Sequence, residues 1–354
     1  MIDDEFWKNK RIFITGHTGF KGTWLLICLL EMGSYVAGYS LKADKNSLFK
    51  SVEKKLKNKF IHIENNILDL NNLKKSIKEF EPDIIIHLAA QSLVRKSYKF
   101  PLLTWETNVL GSLNILEASK GLNKKCSIVM VTTDKVYKNN EWVYGYREND
   151  NLGGHDPYSA SKAGSEIAIS SWRSSFCNEF SNNNLHIATA RAGNVIGGGD
   201  WSEDRIIPDI INSLINKKII SIRNPQASRP WQHVLEPLNG YLILAKRIYE
   251  EIPSSDYEAF NFGPDITNNK TVKELVEEVI KSWPGKWENA NVLSSYHEAI
   301  NLHLQNEKAI KLLGWKPRWN FKKTVCETIF WYKNVLNGDD AFNKCKQNIE
   351  EFFS

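Results

Sequence analysis

The chain has 354 residues, of which 42% are hydrophobic and 25% are charged, and its formal net charge is +5. This length allows one large or two medium domains with a sizeable core, and the composition is ordinary for a globular cytosolic protein. The sequence contains no signal-peptide pattern and no apolar run of about 18 residues, which argues against a membrane protein. We therefore expect a soluble protein of the cytoplasm.

The distribution of cysteines, histidines and lysines argues against a disulfide-linked, a metal-binding or a nucleic-acid-binding protein. The five cysteines are scattered and none belongs to a Cys-x-x-Cys pair, which argues against a disulfide framework or a zinc cluster and fits a reducing compartment. The eight histidines lack metal-ligand spacing, so no metal is expected. The lysines of residues 50–59 are interpreted as one exposed helix face. Because no recognition motif accompanies them, nucleic-acid binding is not expected.

Short apolar strands alternate with helical segments over the first 190 residues. Strands are predicted at 11–15, 35–39, 60–63, 84–88, 128–131 and 187–190, and helices at 23–32, 71–80, 105–120 and 158–176. This alternation predicts an α/β fold with a doubly wound parallel sheet of the Rossmann type, covered by helices on both faces. Its ligand crevice should lie at the carboxyl ends of the strands.

After about residue 191 the alternation loosens and prolines become frequent. Helices are predicted at 272–282 and 306–313. We interpret this part as a smaller, mixed α/β substrate domain made of residues 191–231 and 263–354. Residues 1–190, with chain returning around 232–262, would form the dinucleotide-binding domain.

Three glycines, Gly16, Gly19 and Gly22, follow the first predicted strand and open the first predicted helix. The first permits a tight turn, the second lets the backbone approach a pyrophosphate, and the third allows close packing of helix on strand. The helix N-terminus would supply N–H donors to the anion. A flexible turn is the alternative interpretation, but the position at the first strand–helix junction favours dinucleotide binding.

The second strand should end in an acidic residue that binds the adenosine ribose, and none is present. Ser40 stands there instead and would be a weak partner for the ribose hydroxyls. Because no arginine lies nearby to accommodate the 2′-phosphate of NADP, the expected cofactor is NAD.

A tyrosine and a lysine, Tyr158 and Lys162, are four residues apart and therefore share one face of a predicted helix. An ammonium group beside a buried phenol is expected to lower the phenol's pKa towards working pH. Such a base can take a hydroxyl proton while a hydride leaves for a nicotinamide. The spacing also suits a solvated helix face, but the run Thr133-Asp-Lys135 at the end of the preceding strand favours the catalytic interpretation.

Several segments together resemble the extended short-chain dehydrogenase/reductase family over nearly the whole chain. They are the glycine loop, His87-Leu-Ala-Ala90, Asn108-Val-Leu-Gly111, the Tyr158/Lys162 pair, Arg191-Ala-Gly-Asn-Val-Ile-Gly197 and Leu313-Gly-Trp-Lys-Pro317. Further stretches resemble the branch of this family that dehydrates nucleotide sugars. These are Gly16-His-Thr-Gly-Phe-Lys-Gly22, Thr133-Asp-Lys135, Glu141-Trp-Val-Tyr-Gly-Tyr-Arg-Glu148, Gly197-Gly-Gly-Asp-Trp201, Arg229-Pro-Trp-Gln-His-Val-Leu-Glu-Pro237 and His297-Glu-Ala299.

The resemblance implies the residues that bind each ligand. For NAD they are Gly16, Thr18, Gly19, Phe20, Gly22, Ser40, Asn66, Ile67, Leu88, Ala89, Ala90, Asn108, Tyr158 and Lys162. The implied substrate is a nucleotide sugar, CDP-glucose, held by Gln91, Asn194, Arg205, Arg229 and His297. The preference for cytosine follows from the resemblance alone. A homodimer, or a dimer of dimers, is implied through the helices that follow Trp105 and Tyr158.

The resemblance also implies a dehydration. Relatives that act on dTDP-glucose carry Thr-Asp-Glu where this chain has Thr133-Asp134-Lys135, whereas 4-epimerases have no acid/base pair there. The implied reaction oxidises sugar C4, eliminates water across C5–C6 and returns the hydride to C6. Tyr158 would be the base at the C4 hydroxyl, Lys162 would tune it, and Thr133 would hydrogen-bond the C4 oxygen. Asp134 would be the acid at C6 and Lys135 the base at C5.

Some alternatives stay open at this point. Lys135 would need to be neutral to act as a base; as a cation it would stabilise an enolate or pair with Asp134. Asp134 could merely cap a turn. Lys21 could reach a diphosphate or be a solvated lysine of the first helical turn. For the whole protein, a nucleotide-sugar 4-epimerase and a dinucleotide-binding scaffold without turnover are the competing hypotheses.

Overall fold

The computed structural model describes residues 4–177, 184–251, 258–265, 269–290 and 301–354. Within these residues the strands are β1 (Arg11–Thr15), β2 (Tyr35–Ser40), β3 (Ile61–Glu64), β4 (Ile84–His87), β5 (Cys126–Val131), β6 (Leu185–Ala192), β7 (Val195–Ile196), β8 (Ile220–Ile222), β9 (Ser228–Pro230), β10 (Gln232–His233), β11 (Ala259–Phe262), β12 (Asn269–Thr271) and β13 (Trp287–Asn289).

The helices surround these strands. They are α1 (Asp4–Trp7), α2 (Phe20–Glu31), α3 (Leu48–Leu56), α4 (Leu70–Phe80), α5 (Val94–Lys99), α6 (Pro101–Trp105), α7 (Gly111–Ser119), α8 (Pro157–Phe176), α9 (Ile206–Ile215), α10 (Leu235–Glu250), α11 (Val272–Ser282), α12 (Phe321–Leu336) and α13 (Ala341–Phe353). Single π-helical turns occupy Glu106–Leu110 and Ala309–Leu313, and a 3₁₀ turn occupies Asp134–Val136.

Seven parallel strands form the central sheet, in the order β11-β6-β5-β4-β1-β2-β3. The strand order reverses between β1 and β4, which pair directly with Ile12 opposite Ile84. In doubly wound sheets this reversal opens a crevice outside the carboxyl ends of the strands. The predicted fold class, a doubly wound parallel sheet of the Rossmann type, is confirmed.

Alternation along the strands divides the core into two layers. Ile12 and Ile14 of β1 pack into one apolar cluster, whereas Phe13 between them packs into another. Successive side chains of a strand point to opposite faces, so each strand supplies both layers. Strands buried on both faces read as continuous apolar runs, which is the pattern seen in β4.

The region after residue 191 is more regular than the sequence suggested. The expectation that strands and helices become irregular there is wrong for α9 and α10. The first turn of α9 contains Pro208, and the first turn of α10 contains Pro237. Proline is tolerated in a first turn because its missing N–H has no helical partner there. The helix predicted at 272–282 is confirmed as α11, and 309–313, within the one predicted at 306–313, forms a π-helical turn. The prediction omitted α12 and α13.

The core does not stop at the proposed domain boundary. The cluster that contains Trp24 of α2 also contains Trp315 and Trp331 from the C-terminal part. Strand β11 pairs with β6, so this segment returns to the sheet. The division into residues 1–190 and the C-terminal segments remains a prediction.

Two further findings concern the described part of the chain. None of its helices has the length and apolarity that crossing a bilayer requires. The lysines of 50–59 lie largely on α3, which buries Leu48, Phe49, Val52 and Leu56 on its other face, so the exposed helix face expected there is confirmed.

Candidate active site

The glycine loop between β1 and α2 brings backbone segments so close together that side chains would not fit between them. Gly16 has φ +77°, and a Cβ atom there would lie 2.8 Å from the backbone nitrogen of Ala89. A Cβ on Gly22 would lie 2.1 Å from the carbonyl oxygen of Gly16, so the helix packs directly on the loop. Gly19 is the N-cap of α2 and offers no side chain to its first-turn N–H groups. The free N–H groups of this turn and the absence of side chains from the loop fit the pyrophosphate of a dinucleotide.

Neighbouring strand ends supply the rest of the dinucleotide site predicted from the sequence. Thr18 and Ser40 are joined by a hydrogen bond of 2.7 Å between their hydroxyls, so both lie at the carboxyl end of β2. Asn66 follows β3 and its carbonyl accepts a hydrogen bond from the Tyr39 hydroxyl at 3.1 Å. The remaining residues, Ile67, Leu88, Ala89 and Ala90, follow β3 or β4 in the chain.

The side chains of Asn108 and Gln91 form hydrogen bonds with other residues of the protein. The Asn108 amide nitrogen donates to the carbonyl of Gln91 at 3.1 Å and to the Ser161 hydroxyl at 2.8 Å, while its oxygen accepts from the Gln91 N–H at 2.9 Å. The Gln91 amide nitrogen donates to the Leu93 carbonyl and the Thr104 hydroxyl. These bonds tie the loop after β4 to α8, a positioning role, and the predicted ligand contacts of both residues remain predictions.

Thr133 caps the 3₁₀ turn after β5, and Asp134 and Lys135 are the first two residues of that turn. The Thr133 hydroxyl donates to Asp134 Oδ1 at 2.9 Å, and Lys135 Nζ lies 3.5 Å from the same oxygen. Asp134 is almost fully buried, and its Oδ2 has no hydrogen-bond partner among the described residues. The turn is capped by Thr133, whose hydroxyl accepts from the Lys135 N–H at 3.4 Å. Asp134 is therefore available for chemistry rather than used as the cap.

Tyr158 and Lys162 lie one turn apart on α8, both buried. Burial raises the pKa of Tyr158 to about 12, although a hydrogen bond with Thr133 opposes the rise. Burial lowers the pKa of Lys162 to about 8, and the charge of Glu166 opposes that change. The expected lowering of the phenol's pKa is wrong for this structure, because burial is the largest influence on Tyr158 and raises its pKa. Lys162 Nζ instead donates to the Val131 carbonyl at 3.1 Å.

Lys21 of the glycine loop reaches the same crevice. Burial lowers its pKa to about 7, the charge of Arg205 lowers it further, and Asp134 opposes the change. Lys21 is half-buried, and its contact with a diphosphate remains a prediction. Its Nζ lies 6.0 Å from the ring centroid of Tyr241, a buried residue of α10 whose hydroxyl has no partner among the described residues. Sequence reasoning missed Tyr241 because no motif marks it.

A buried ion pair supports α8 from behind. Arg191 Nη2 lies 2.9 Å from Glu166 Oε2, and both side chains are less than 5% exposed. The Glu166 carboxylate also accepts a hydrogen bond from Thr189 at 2.9 Å. Arg191 thus has a structural role, and Glu166 places negative charge one turn from Lys162.

Most of the predicted substrate residues lie in the C-terminal part of the chain. Arg205 precedes α9, donating to Asp200 at 2.8 Å and to Ser92 at 3.3 Å. Its charge bears on the pKa of Tyr158, so it lies near the reacting end. Asn194 lies between β6 and β7, and Arg229 lies in β9. His297 lies outside the described residues.

The fold and this site together define a Rossmann-type dehydratase: the chain belongs to the family described as GDP-mannose 4,6 dehydratase, which it matches over residues 13–328. It is similar to CDP-glucose 4,6-dehydratase of Salmonella typhimurium, with 44% identity over 361 aligned positions covering the whole of this chain and 99% of that protein. It is also similar to dTDP-glucose 4,6-dehydratase of Escherichia coli, at 25% identity over 92% of this chain and 94% of the relative.

Solved structures agree with the fold. The structure of DesIV, a dTDP-glucose 4,6-dehydratase from Streptomyces venezuelae with NAD and TYD bound, has a TM-score of 0.79 at 20% identity. The match covers 94% of this chain and 99% of that one. A UDP-glucose-4-epimerase from Stenotrophomonas maltophila also has a TM-score of 0.79, at 17% identity over 93% of this chain and 99% of the other. The fold is therefore common to dehydratases and epimerases, and the site must distinguish them.

Proposed function

We propose that the protein is an NAD-dependent CDP-glucose 4,6-dehydratase, which converts CDP-glucose to CDP-4-keto-6-deoxyglucose. One observation carries the proposal: the buried carboxylate of Asp134, with an unpartnered oxygen, lies within electrostatic reach of the phenol of Tyr158. A redox pair alone suffices for epimerisation, whereas elimination of water needs an additional acid and base. The 44% identity to a CDP-glucose 4,6-dehydratase over the whole chain supports the same reaction.

The residues at the glycine loop and at the ends of β2 to β4 would hold NAD. When bound, NAD supplies a hydride acceptor for sugar C4 and a hydride donor for C6, so that the net reaction is loss of water. Its diphosphate would bind the uncapped first turn of α2, where Gly19 leaves the backbone N–H groups open. Thr18 and Ser40 would contact the adenosine ribose.

Oxidation at C4 depends on Tyr158. As a phenolate it would take the C4 hydroxyl proton while C4 becomes a carbonyl. Burial opposes the phenolate, whereas the hydrogen bond with Thr133 and the charge of Arg205 act against that cost. Thr133 would then donate to the new carbonyl oxygen.

Elimination depends on the turn after β5. Neutral Lys135 would remove the proton from C5, which the adjacent C4 carbonyl has made acidic. Asp134, protonated, would give its proton to the C6 hydroxyl, which leaves as water as the C5–C6 double bond forms. Lys135 would return a proton to C5, and bound NAD would supply the hydride for C6. The Asp134 side chain is buried, and Lys135 lies next to it with its side chain one-third exposed.

Positive charge around the crevice suits the substrate's diphosphate. Arg205 and Arg229 would offer guanidinium forks to the phosphate oxygens, and Asn194 would offer an amide. We also propose a cytoplasmic homodimer. The five cysteines are free thiols, which fits a reducing compartment, and an exposed apolar face on α6 and α8 offers a surface for a second copy.

The test is incubation of the purified protein, with added NAD, with the CDP-, dTDP-, GDP- and UDP-linked forms of glucose. CDP-glucose should yield a product with a 6-methyl NMR signal and strong absorbance in alkali. A product epimeric at C4 with neither property would show the epimerase, and a lack of turnover with every sugar would leave only a binding protein. The Tyr158→Phe variant is the control and should be inactive.

A further inference from the structure

A buried hydrogen-bond network joins α8 to the 3₁₀ turn that carries Asp134 and Lys135. Its centre is the ion pair between Glu166 of α8 and Arg191 of β6. Nε and Nη2 of the arginine donate to the two carboxylate oxygens at 3.0 and 2.9 Å. Burial alone would raise the pKa of Glu166, but the charge and hydrogen bonds of Arg191 lower it below its ordinary value. The pair is therefore ionised, and its two parallel hydrogen bonds fix its orientation.

Each partner of the pair also holds one end of the turn. Before the turn, the Thr132 hydroxyl donates to Glu166 Oε1 at 2.5 Å. After the turn, Arg191 Nη1 donates to the Tyr137 hydroxyl at 2.8 Å. Only residues 133–136 lie between these two anchors. All four side chains are at most 6% exposed, so bulk water does not compete for their hydrogen bonds.

Further contacts fix both anchors. The Tyr137 hydroxyl donates to Asn261 Oδ1 at 2.7 Å while it accepts from Arg191. Asn261 lies on β11, directly opposite Arg191 of β6 in the register of the two strands. At the other anchor, Lys162 Nζ donates at 3.1 Å to the carbonyl of Val131, the residue that precedes the anchoring threonine. The turn is thus held between the central sheet and α8.

The proposed reaction needs such an arrangement, because it uses three adjacent carbons of one hexose. Tyr158 on α8 would act at C4, whereas Lys135 and Asp134 of the turn would act at C5 and C6. A shift of the turn against α8 would leave oxidation at C4 possible and would misplace the acid and the base of the elimination. A displacement of about 1 Å can lower a reaction rate by about 100-fold.

We propose that Glu166 and Arg191 are positioning residues for the elimination step, acting through Thr132 and Tyr137 on the turn between them. This inference rests on the proposed function and deepens it, since it names the contacts that hold the acid and the base of the elimination against the hexose. The alternative is a brace that only stabilises the packing of α8 on β6. Such a brace would depend equally on the hydroxyl of Thr189, which donates to Glu166 Oε2 at 2.9 Å from within β6.

Thr132→Val and Thr189→Val are a matched pair that separates the two roles, because each removes one hydroxyl donor to Glu166. The full-length variants are mixed with NAD and CDP-glucose. Reduced cofactor is followed by its absorbance, and the 6-deoxy product by NMR. We expect Thr132→Val to form product about 10- to 100-fold more slowly while reduced cofactor accumulates, since C4 is oxidised and water is not eliminated. Thr189→Val and Thr132→Ser, which keeps the hydroxyl, should form product at the wild-type rate.

Thermal unfolding checks that each variant is folded. The positioning role is overturned by an unchanged rate in Thr132→Val, by an equal loss in Thr189→Val or Thr132→Ser, or by slow product formation without accumulation of reduced cofactor. Should Thr132→Val not fold, Tyr137→Phe, which removes the hydroxyl at the other end of the turn, decides by the same two readouts. A wild type that forms no 6-deoxy product from CDP-glucose contradicts the proposed function itself, and the positioning role falls with it.

Discussion

At the scale of single residues, burial decides the electrostatics of the crevice. The pKa values of Lys21 and Lys162 are lowered to about 7 and 8, and that of Tyr158 is raised to about 12, with burial as the largest cause each time. The sequence identified Tyr158 and Lys162 by their spacing. It could not give the direction of the tyrosine's pKa shift, because the surrounding residues that remove water come from distant parts of the chain.

The first prediction concerns Lys135. In Lys135→Met we expect formation of the 6-deoxy product to fall by about 100-fold or more, as is typical when a general base is lost. Oxidation at C4 does not require this residue, so reduced cofactor should still appear when CDP-glucose is added. The two readouts are followed together by NMR and by cofactor absorbance. Product release at a near-normal rate would remove the base role.

Lys21→Met provides the comparison for that experiment. Lys21 lies in the same crevice, and burial lowers its pKa to about 7. If Lys135→Met retains exchange of the C5 proton with solvent and Lys21→Met does not, the base is Lys21 and the assignment to Lys135 is wrong.

At the scale of elements, the hydrophobic periodicity of the sequence was sufficient to predict the strands and helices whose residues follow that periodicity from end to end. The strand predicted at 11–15 and the helix at 272–282 have the predicted bounds. Pattern failed for α9 and α10, where prolines in the first turn were taken as breaks. It also could not reveal that Asn108 ties the loop after β4 to α8, since those bonds join residues far apart in sequence.

A second prediction concerns Glu236 in the first turn of α10. Its buried carboxylate accepts hydrogen bonds from the backbone N–H groups of Arg318 and Trp319, and burial raises its pKa to about 7. Because this value exceeds the ordinary 4.5, the folded protein binds more protons than the unfolded chain between about pH 4.5 and 7. The stability that this proton uptake contributes is complete below pH 4.5 and is lost as the pH rises through 7.

Glu236→Gln removes this titration. Relative to the wild type, the free energy of unfolding of the variant should improve by about 1 to 3 kcal/mol between pH 5 and pH 8. Urea unfolding at both pH values measures the difference. A gap between the two proteins that does not change with pH would show that Glu236 is ionised in both states.

At the scale of the whole molecule, an exposed apolar face predicts that two copies of the chain associate. Leu102 on α6, Leu110 in the following π-helical turn and Ile167 on α8 are 77, 51 and 60% exposed. Exposed apolar side chains on neighbouring elements are a common feature of protein–protein interfaces. A second copy that covers the same face by twofold symmetry would bury it on both subunits.

We therefore expect the wild type to sediment as a dimer or a larger even assembly, and the double variant Leu102→Glu, Ile167→Glu to sediment as a monomer. Leu336→Glu is the control, since Leu336 ends α12 and is 46% exposed outside this face. A monomeric wild type, or an unchanged mass of the double variant, would contradict the assignment of the interface.

The central claim is that one crevice takes a hydride from sugar C4 and delivers it to C6 of the same sugar while water leaves. CDP-glucose deuterated at C4 tests this claim most directly, with the product analysed by NMR after incubation with the protein and NAD. The account predicts deuterium in the 6-methyl group of a 4-keto sugar. Deuterium that remains at C4 of an epimer, or a methyl group without deuterium, would contradict it.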